Sequence, residues 1–172
     1  MLNTQRLLLR RWQPSDLGPY AKLCADPEVM RWIGSGVTRS PDECAAAIDS
    51  FETLWEQQGF GLFAVEVVDS QQFIGFAGLA VPDFLPEVMP AVEIGWRLAR
   101  HAWGQGYATE AARTVLDYGF STCGLKRVVS IHQVGNEASG RVMQKIGMSL
   151  CLETTDPSCG RQVKVYQIEA SG

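Results

Sequence analysis

The sequence predicts a mixed α/β (α+β) fold: a single central sheet of about seven strands with helices on both faces. Three observations carry this. The apolar period switches repeatedly between the helical and the strand spacing, the resulting order is β-α-α-β-β-β-α-β-α-β-β, and no Pro-, Gly- or Ser-rich linker interrupts it. With 172 residues, 46% apolar and 20% charged, the chain suits one domain built on one sizeable core, so residues 1–172 are expected to form a single unit.

The elements follow in order. Residues 6–11 are leucine-rich and read as an early strand. Pro14-Ser15-Asp16 forms a turn and helix start, with Ser15 placed to cap a helix to about residue 25 that stops near Asp26-Pro27. A short helical piece holds Val29, Met30, Trp32 and Ile33 before Gly34-Ser35-Gly36. Ser40-Pro41-Asp42-Glu43 supplies a capping Ser, a Pro at the first helical position and a Glu three residues after the cap; Cys44, Ala47, Ile48, Phe51, Leu54 and Trp55 then recur at helical spacing until Gly59. Aromatic and β-branched residues at 60–68 and 73–81 flank Asp69-Ser70 and predict a hairpin. An irregular loop at 82–90 precedes a strand at 91–98, a helix at 108–120, a strand at 127–133 and a helix at 138–146; residues 149–153 and 162–169 read as the last two strands.

Composition excludes several classes. The net charge of −4 and the lack of a basic run argue against direct nucleic-acid binding. Five scattered cysteines without a CxxC pair, and two histidines far apart, give no metal site. The first residues lack the order of a signal peptide, and no apolar run reaches the length of a membrane helix. A reduced, cytoplasmic protein without a membrane partner is the expectation.

The informative stretch is 93–110, where a strand ends near Leu98, a tight loop holds Gly104 and Gly106, and a helix begins near Ala108. Glycines let backbone N–H groups approach an anion, and a helix start adds unpaired donors and a positive dipole end. The loop is neither a GxxxxGK[ST] phosphate loop nor a complete GxGxxG fingerprint. Loop chemistry alone leaves an anion cradle and an ordinary strand-to-helix turn equally open.

Residues 93–112 resemble the acetyl-coenzyme A signature of the GNAT superfamily of N-acetyltransferases, (Gln/Arg)-x-x-Gly-x-(Gly/Ala), with Gly106 and Ala108 at its last two fixed positions. Residues 136–148, from Asn136 through Ser139 and Lys145 to Gly147-Met148, resemble the family's second cofactor motif. Residues 4–34, through Arg6-Leu7-x-Leu9-Arg10, Asp16 and Asp26-Pro27-Glu28-Val29-Met30, are similar to the ribosomal-protein N-terminal acetyltransferase branch. The resemblance implies a mostly antiparallel sheet with one parallel pair that splays apart at the cofactor. It implies that backbone groups of Trp103, Gly104, Gln105, Gly106, Tyr107, Ala108 and Thr109 hold the pyrophosphate of acetyl-coenzyme A. The backbone of Trp96, Arg97 and Leu98 would pair with pantetheine amides like an added strand, Asn136 would bond the cofactor arm, and Ser139 would lie near the thioester sulfur.

The chain departs from the pattern twice. Trp103 replaces the first Gln or Arg, which removes a side-chain contact but keeps the backbone cradle. Met143 stands where many relatives have a Tyr that protonates the leaving thiolate, and a thioether cannot donate a proton; Ser139, directly or through water, is then the candidate acid, with solvent as the alternative. Glu93, where several superfamily members place a catalytic Glu, is the candidate base, or else an ordinary strand-end carboxylate. Trp32, Phe84 and the 34–36 loop line the acceptor pocket or simply close a core edge. The implied activity is transfer of an acetyl group to a primary amine, either a protein N-terminus (as on ribosomal proteins) or a small molecule, by a monomer or homodimer without metal. The alternative is a non-catalytic acyl-coenzyme A sensor or interaction module.

Overall fold

The computed structural model describes residues 1–170. Its strands, numbered along the chain, are β1 (Leu2–Asn3), β2 (Leu7–Arg10), β3 (Leu62–Val67), β4 (Gln72–Ala80), β5 (Glu93–Leu98), β6 (Arg127–Gln133), β7 (Ser149–Asp156) and β8 (Arg161–Glu169). They form one sheet in the order β1-β2-β3-β4-β5-β6-β8-β7. Every neighbouring pair is antiparallel except β5–β6, as expected of the mixed sheet. The strand beyond the expected seven is β1, which pairs Leu2 with Leu9 and Asn3 with Leu8 and is too short to leave an alternation in the sequence.

Five helices cover the sheet: α1 (Leu17–Cys24), α2 (Pro27–Met30), α3 (Pro41–Gln58), α4 (Tyr107–Ser121) and α5 (Glu137–Lys145). One face carries α4 and α5. There Ala111, Ala112, Val115 and Met143 pack on inward residues of the strands, including Val65, Leu79, Ile94 and Val128. The other face carries α1, α2 and α3, whose Tyr20, Leu23, Met30 and Cys44 pack on Leu62, Ala64, Phe73 and Phe76. Each fully buried aliphatic side chain here contributes about 1.5–3 kcal/mol.

The Ser40 capping box forms as expected: Glu43 N–H donates to Ser40 Oγ, the Glu43 carboxylate accepts from Ser40 N–H at 2.7 Å, and α3 closes at Gly59. Ser15 does not cap α1. The chain enters through a 3-10 turn at Pro14–Asp16, and the buried Asp16 carboxylate accepts from Gln13 N–H at 2.8 Å and from Arg10 at 2.8 and 2.9 Å. A carboxylate that must also hold a half-buried guanidinium outcompetes a neighbouring hydroxyl for this position.

Candidate active site

The site begins where β5 and β6 part. Val129 N–H donates to the Val92 carbonyl at 2.9 Å, and Glu93 opposite Val129 is the one register pair of the two strands. Beyond it, side chains replace the ladder: Ser130 Oγ donates to the Ile94 carbonyl at 2.8 Å, and Ile131 N–H donates to the Glu93 carboxyl. Peptide groups alternate along a strand, so residues 92, 94, 96 and 98 address the β6 side. Trp103 Nε1–H takes the Leu98 carbonyl at 2.8 Å. Trp96 is thus left with its N–H and C=O turned into the gap.

A loop follows β5 and bends back at Gly104 and Gly106, whose φ values of 74° and 81° are left-handed. Gly106 is the N-cap of α4 and brings no side-chain cap, so the N–H groups of the first turn stay free. The loop is held from outside. Arg6 Nη1 donates to the Gln105 carbonyl at 3.0 Å, Arg6 Nε donates to Glu110 at 2.7 Å, and Thr4 Oγ1 donates to Glu110 at 2.5 Å. Burial pushes the Glu110 carboxyl up, but these bonds outweigh it and hold it below the usual carboxylate range.

Between the splay, this loop and α5 lies a cleft of about 380 Å³. Trp32, Trp96, Arg97, Leu98, Trp103, Gly104, Gly106, Tyr107, Ala108, Thr109, Asn136 and Ser139 all line it, together with Arg141 and Lys145, one turn apart on α5. The expected residues Gln105, Glu93 and Phe84 do not. Gln105 faces outward, with its carbonyl held by Arg6 and its amide donating to His101 O at 2.9 Å. Glu93 sits at the vertex of the splay. Phe84 is exposed on the 82–90 loop; its neighbour Leu85 is the buried one, packed on Val129, Val163 and Val165, and that anchors the loop over β6 and β8 rather than over the cleft.

Asn136 caps α5, accepting from Ser139 N–H at 3.4 Å, which leaves its Nδ2 donors free among the described residues. Trp32 reaches the far end of β6, where a Cβ on Gly135 would stand 2.7 Å from its ring. The 34–36 loop beside it is stapled to the sheet: Gln133 Nε2 donates to the Gly34 carbonyl at 2.7 Å, and Arg161 donates to the Arg31 and Ser35 carbonyls at 2.7 and 2.6 Å. Met143 is 1% exposed within the core and outside the cleft.

The two faces of β5 divide the site. Ile94 and Leu98 belong to the core under α4, with Trp96 against it, so Glu93, Gly95 and Arg97 face the α1–α3 side. Glu93 is half-buried; desolvation of its carboxyl, only partly offset by the Ile131 N–H, pushes it up from 4.5 to about 8. A carboxyl with that affinity for protons exchanges them near neutral pH.

The splay was expected through the family resemblance, but the Trp103 contact and the Arg6 and Arg161 clamps were not foreseen from sequence. All are contacts between segments distant in the chain and leave no local signature. Among the described residues there is no cluster of three or more metal-ligating side chains and no helix long and apolar enough to cross a membrane.

Residues 6–149 match the family model of the acetyltransferase (GNAT) domain. The uncharacterized N-acetyltransferase YoaA of Bacillus subtilis is 29% identical over 147 residues, covering 86% of this chain and 81% of that one. The crystal structure of the acetyltransferase from Agrobacterium tumefaciens C58 superposes with a TM-score of 0.83 at 26% identity, over 98% of this chain and 94% of that one. RimL, the ribosomal L7/L12 α-N-protein acetyltransferase solved with coenzyme A, shares the fold at a TM-score of 0.79 and 16% identity, over 96% and 95%.

Proposed function

The chain belongs to the GNAT family of acetyltransferases and is an N-acetyltransferase; from that premise we propose that it takes the acetyl group from acetyl-coenzyme A and passes it to a primary amine by direct attack in a ternary complex. One observation carries the reading: the uncapped N-terminus of α4 and the unpaired Trp96 peptide groups open into the same cleft.

The residues present fit that ligand. The N–H groups of Tyr107, Ala108 and Thr109 would hold the pyrophosphate on the helix dipole, with Arg141 and Lys145 adding positive charge on the facing wall. Trp96 would bond pantetheine amides as a missing strand does, and the free Nδ2 of Asn136 would donate to the same arm. When bound, acetyl-coenzyme A supplies the thioester.

Glu93 is proposed to take the proton of the incoming ammonium, directly or through a water, a contribution worth roughly 10²–10⁴-fold. Ser139, in the first turn of α5 and lining the cleft, is the proposed donor toward the leaving sulfur, since Met143 can neither donate a proton nor reach the cleft. The five free cysteines fit a reducing cytoplasm as the place of work.

Calorimetry with acetyl-coenzyme A and coenzyme A, followed by thiol release in the presence of an amine panel, tests the reading. Binding with turnover is expected. Binding without release across the panel would indicate a sensor instead, and no binding would remove the acetyl-coenzyme A assignment.

A further inference from the structure

Among the described residues, Arg97 is a cation without an anionic partner. It stands on the α1–α3 face of β5, half-buried, its guanidinium 5.1 Å from the centre of the Phe76 ring. Nη1 donates to Tyr20 Oη at 3.4 Å and lies 3.8 Å from Cys24 Sγ. Nε is buried without a partner, and Nη2 makes no hydrogen bond among the described residues. Nη2, unlike Nε, keeps solvent contact, so an incoming carboxylate oxygen reaches the guanidinium there.

The nearby charges do not supply one. Arg39 is a second half-buried cation whose field, with that of Arg97, reaches Tyr20. Glu28 on the cleft wall is paired with Arg31 at 3.3 Å, and Asp26, which lines a separate pocket, is paired with Arg100 at 3.1 Å. A buried donor left unpaired costs roughly 1–3 kcal/mol, more when charged, so the fold carries a standing demand for an anion here.

The space beside Arg97 is open. Gly95, between Arg97 and Glu93 on the same face, has no atom within 4 Å of the place its Cβ would occupy. Four residues of strand put the Cα atoms of Glu93 and Arg97 about 13 Å apart, and both side chains shorten that span.

We propose that the acceptor is an amine that also carries a carboxylate close by, its nitrogen facing Glu93 and its carboxylate gripped by Arg97 across the opening at Gly95. This rests on the reading of the site as an acetyltransferase with Glu93 as base. It adds the class of acceptor: a small amino acid, or a peptide end with an acidic residue beside the amine. The match works by charge at one end and proton removal at the other, so polyamines are disfavoured.

The test is a matched panel assayed by thiol release. Alanine, β-alanine and γ-aminobutyrate are each compared with the carboxamide and with the amine lacking the carboxyl, spermidine serves as a cationic control, and tripeptides carry Glu or Gln beside the N-terminus. Wild type is expected to favour the carboxylate member of at least one pair by 10–100-fold in kcat/KM, mostly through KM. Arg97→Met should erase that preference by weakening each carboxylate member 10–100-fold relative to its uncharged partner, and Arg97→Lys should restore part of it. Turnover confined to neutral or cationic amines, or an equal loss on every acceptor in Arg97→Met with coenzyme A affinity retained, would overturn the assignment of Arg97 and leave the acetyltransferase reading standing. No release with any amine would overturn both.

Discussion

Replacing Glu93 by Gln separates what the carboxyl does for the reaction from what it costs the fold. Gln keeps an oxygen to accept the Ile131 N–H, so the vertex of the splay should survive. Its effect on stability should depend on pH. Below about pH 4.5 the carboxyl is protonated in both folded and unfolded chains and no charge is buried. Between 4.5 and about 8 the unfolded chain ionises while the folded one holds its proton, so wild-type stability falls across that window and levels off above it. At about 1.4 kcal/mol per pH unit the ceiling is about 5 kcal/mol, and the solvent contact that Glu93 retains lowers it to about 2 kcal/mol. Glu93→Gln should therefore gain about 2 kcal/mol over wild type at pH 9 relative to pH 4.5, read by urea denaturation. Its kcat/KM should drop at least 100-fold, and the rise toward alkaline pH expected of wild type through about 8 should be lost. If the two stability curves run parallel in pH, Glu93 is not desolvated as the geometry implies; if the alkaline rise persists in the variant, another group takes the proton.

Two further outcomes follow from the loop and from α5. Gly106→Ala places a Cβ at a left-handed φ of 81°, which costs about 1–2 kcal/mol; the first turn of α4 should tilt, and calorimetry should find coenzyme A bound at least 10-fold more weakly. Met143→Tyr, which installs the residue that the family resemblance leads one to expect there, should not raise thiol release, because position 143 is 1% exposed inside the core. The added bulk should instead cost about 1–3 kcal/mol in thermal denaturation.

The contrast between what could and could not be read in the sequence follows the reach of each interaction. Ser40 and Glu43 lie one turn apart and bond each other, so three letters announce the start of α3. Gly106 and the apolar spacing after it likewise announce α4. Ser15 failed as a cap because Asp16 answers to Arg10, and Arg10 in turn reaches Glu66 on β3 at 3.0 Å, a partner that local spacing cannot reveal. Trp32 and Phe84 carried the same two readings in the sequence, acceptor-pocket lining or closure of a core edge. Trp32 reaches the cleft because Arg161 and Gln133 pull its loop against β6, whereas Phe84 is turned out because Leu85 holds the core contact.

The parting of β5 from β6 illustrates why a binding edge differs from a defect. Separating two paired strands strands peptide groups on both, and each buried group left unpaired costs roughly 1–3 kcal/mol. Around the gap the chain answers these losses one by one with side chains: Glu93 for Ile131, Ser130 for Ile94, Trp103 for Leu98. Where the alternation turns Trp96 into the cleft, no side chain among the described residues takes its peptide groups. A splay arising from poor packing would leave its orphans scattered, with no correlation to the cleft. Here the Trp96 peptide groups face a space that also receives the free N-terminus of α4, so an extended ligand with amides in its middle and an anion at its end would satisfy both at once.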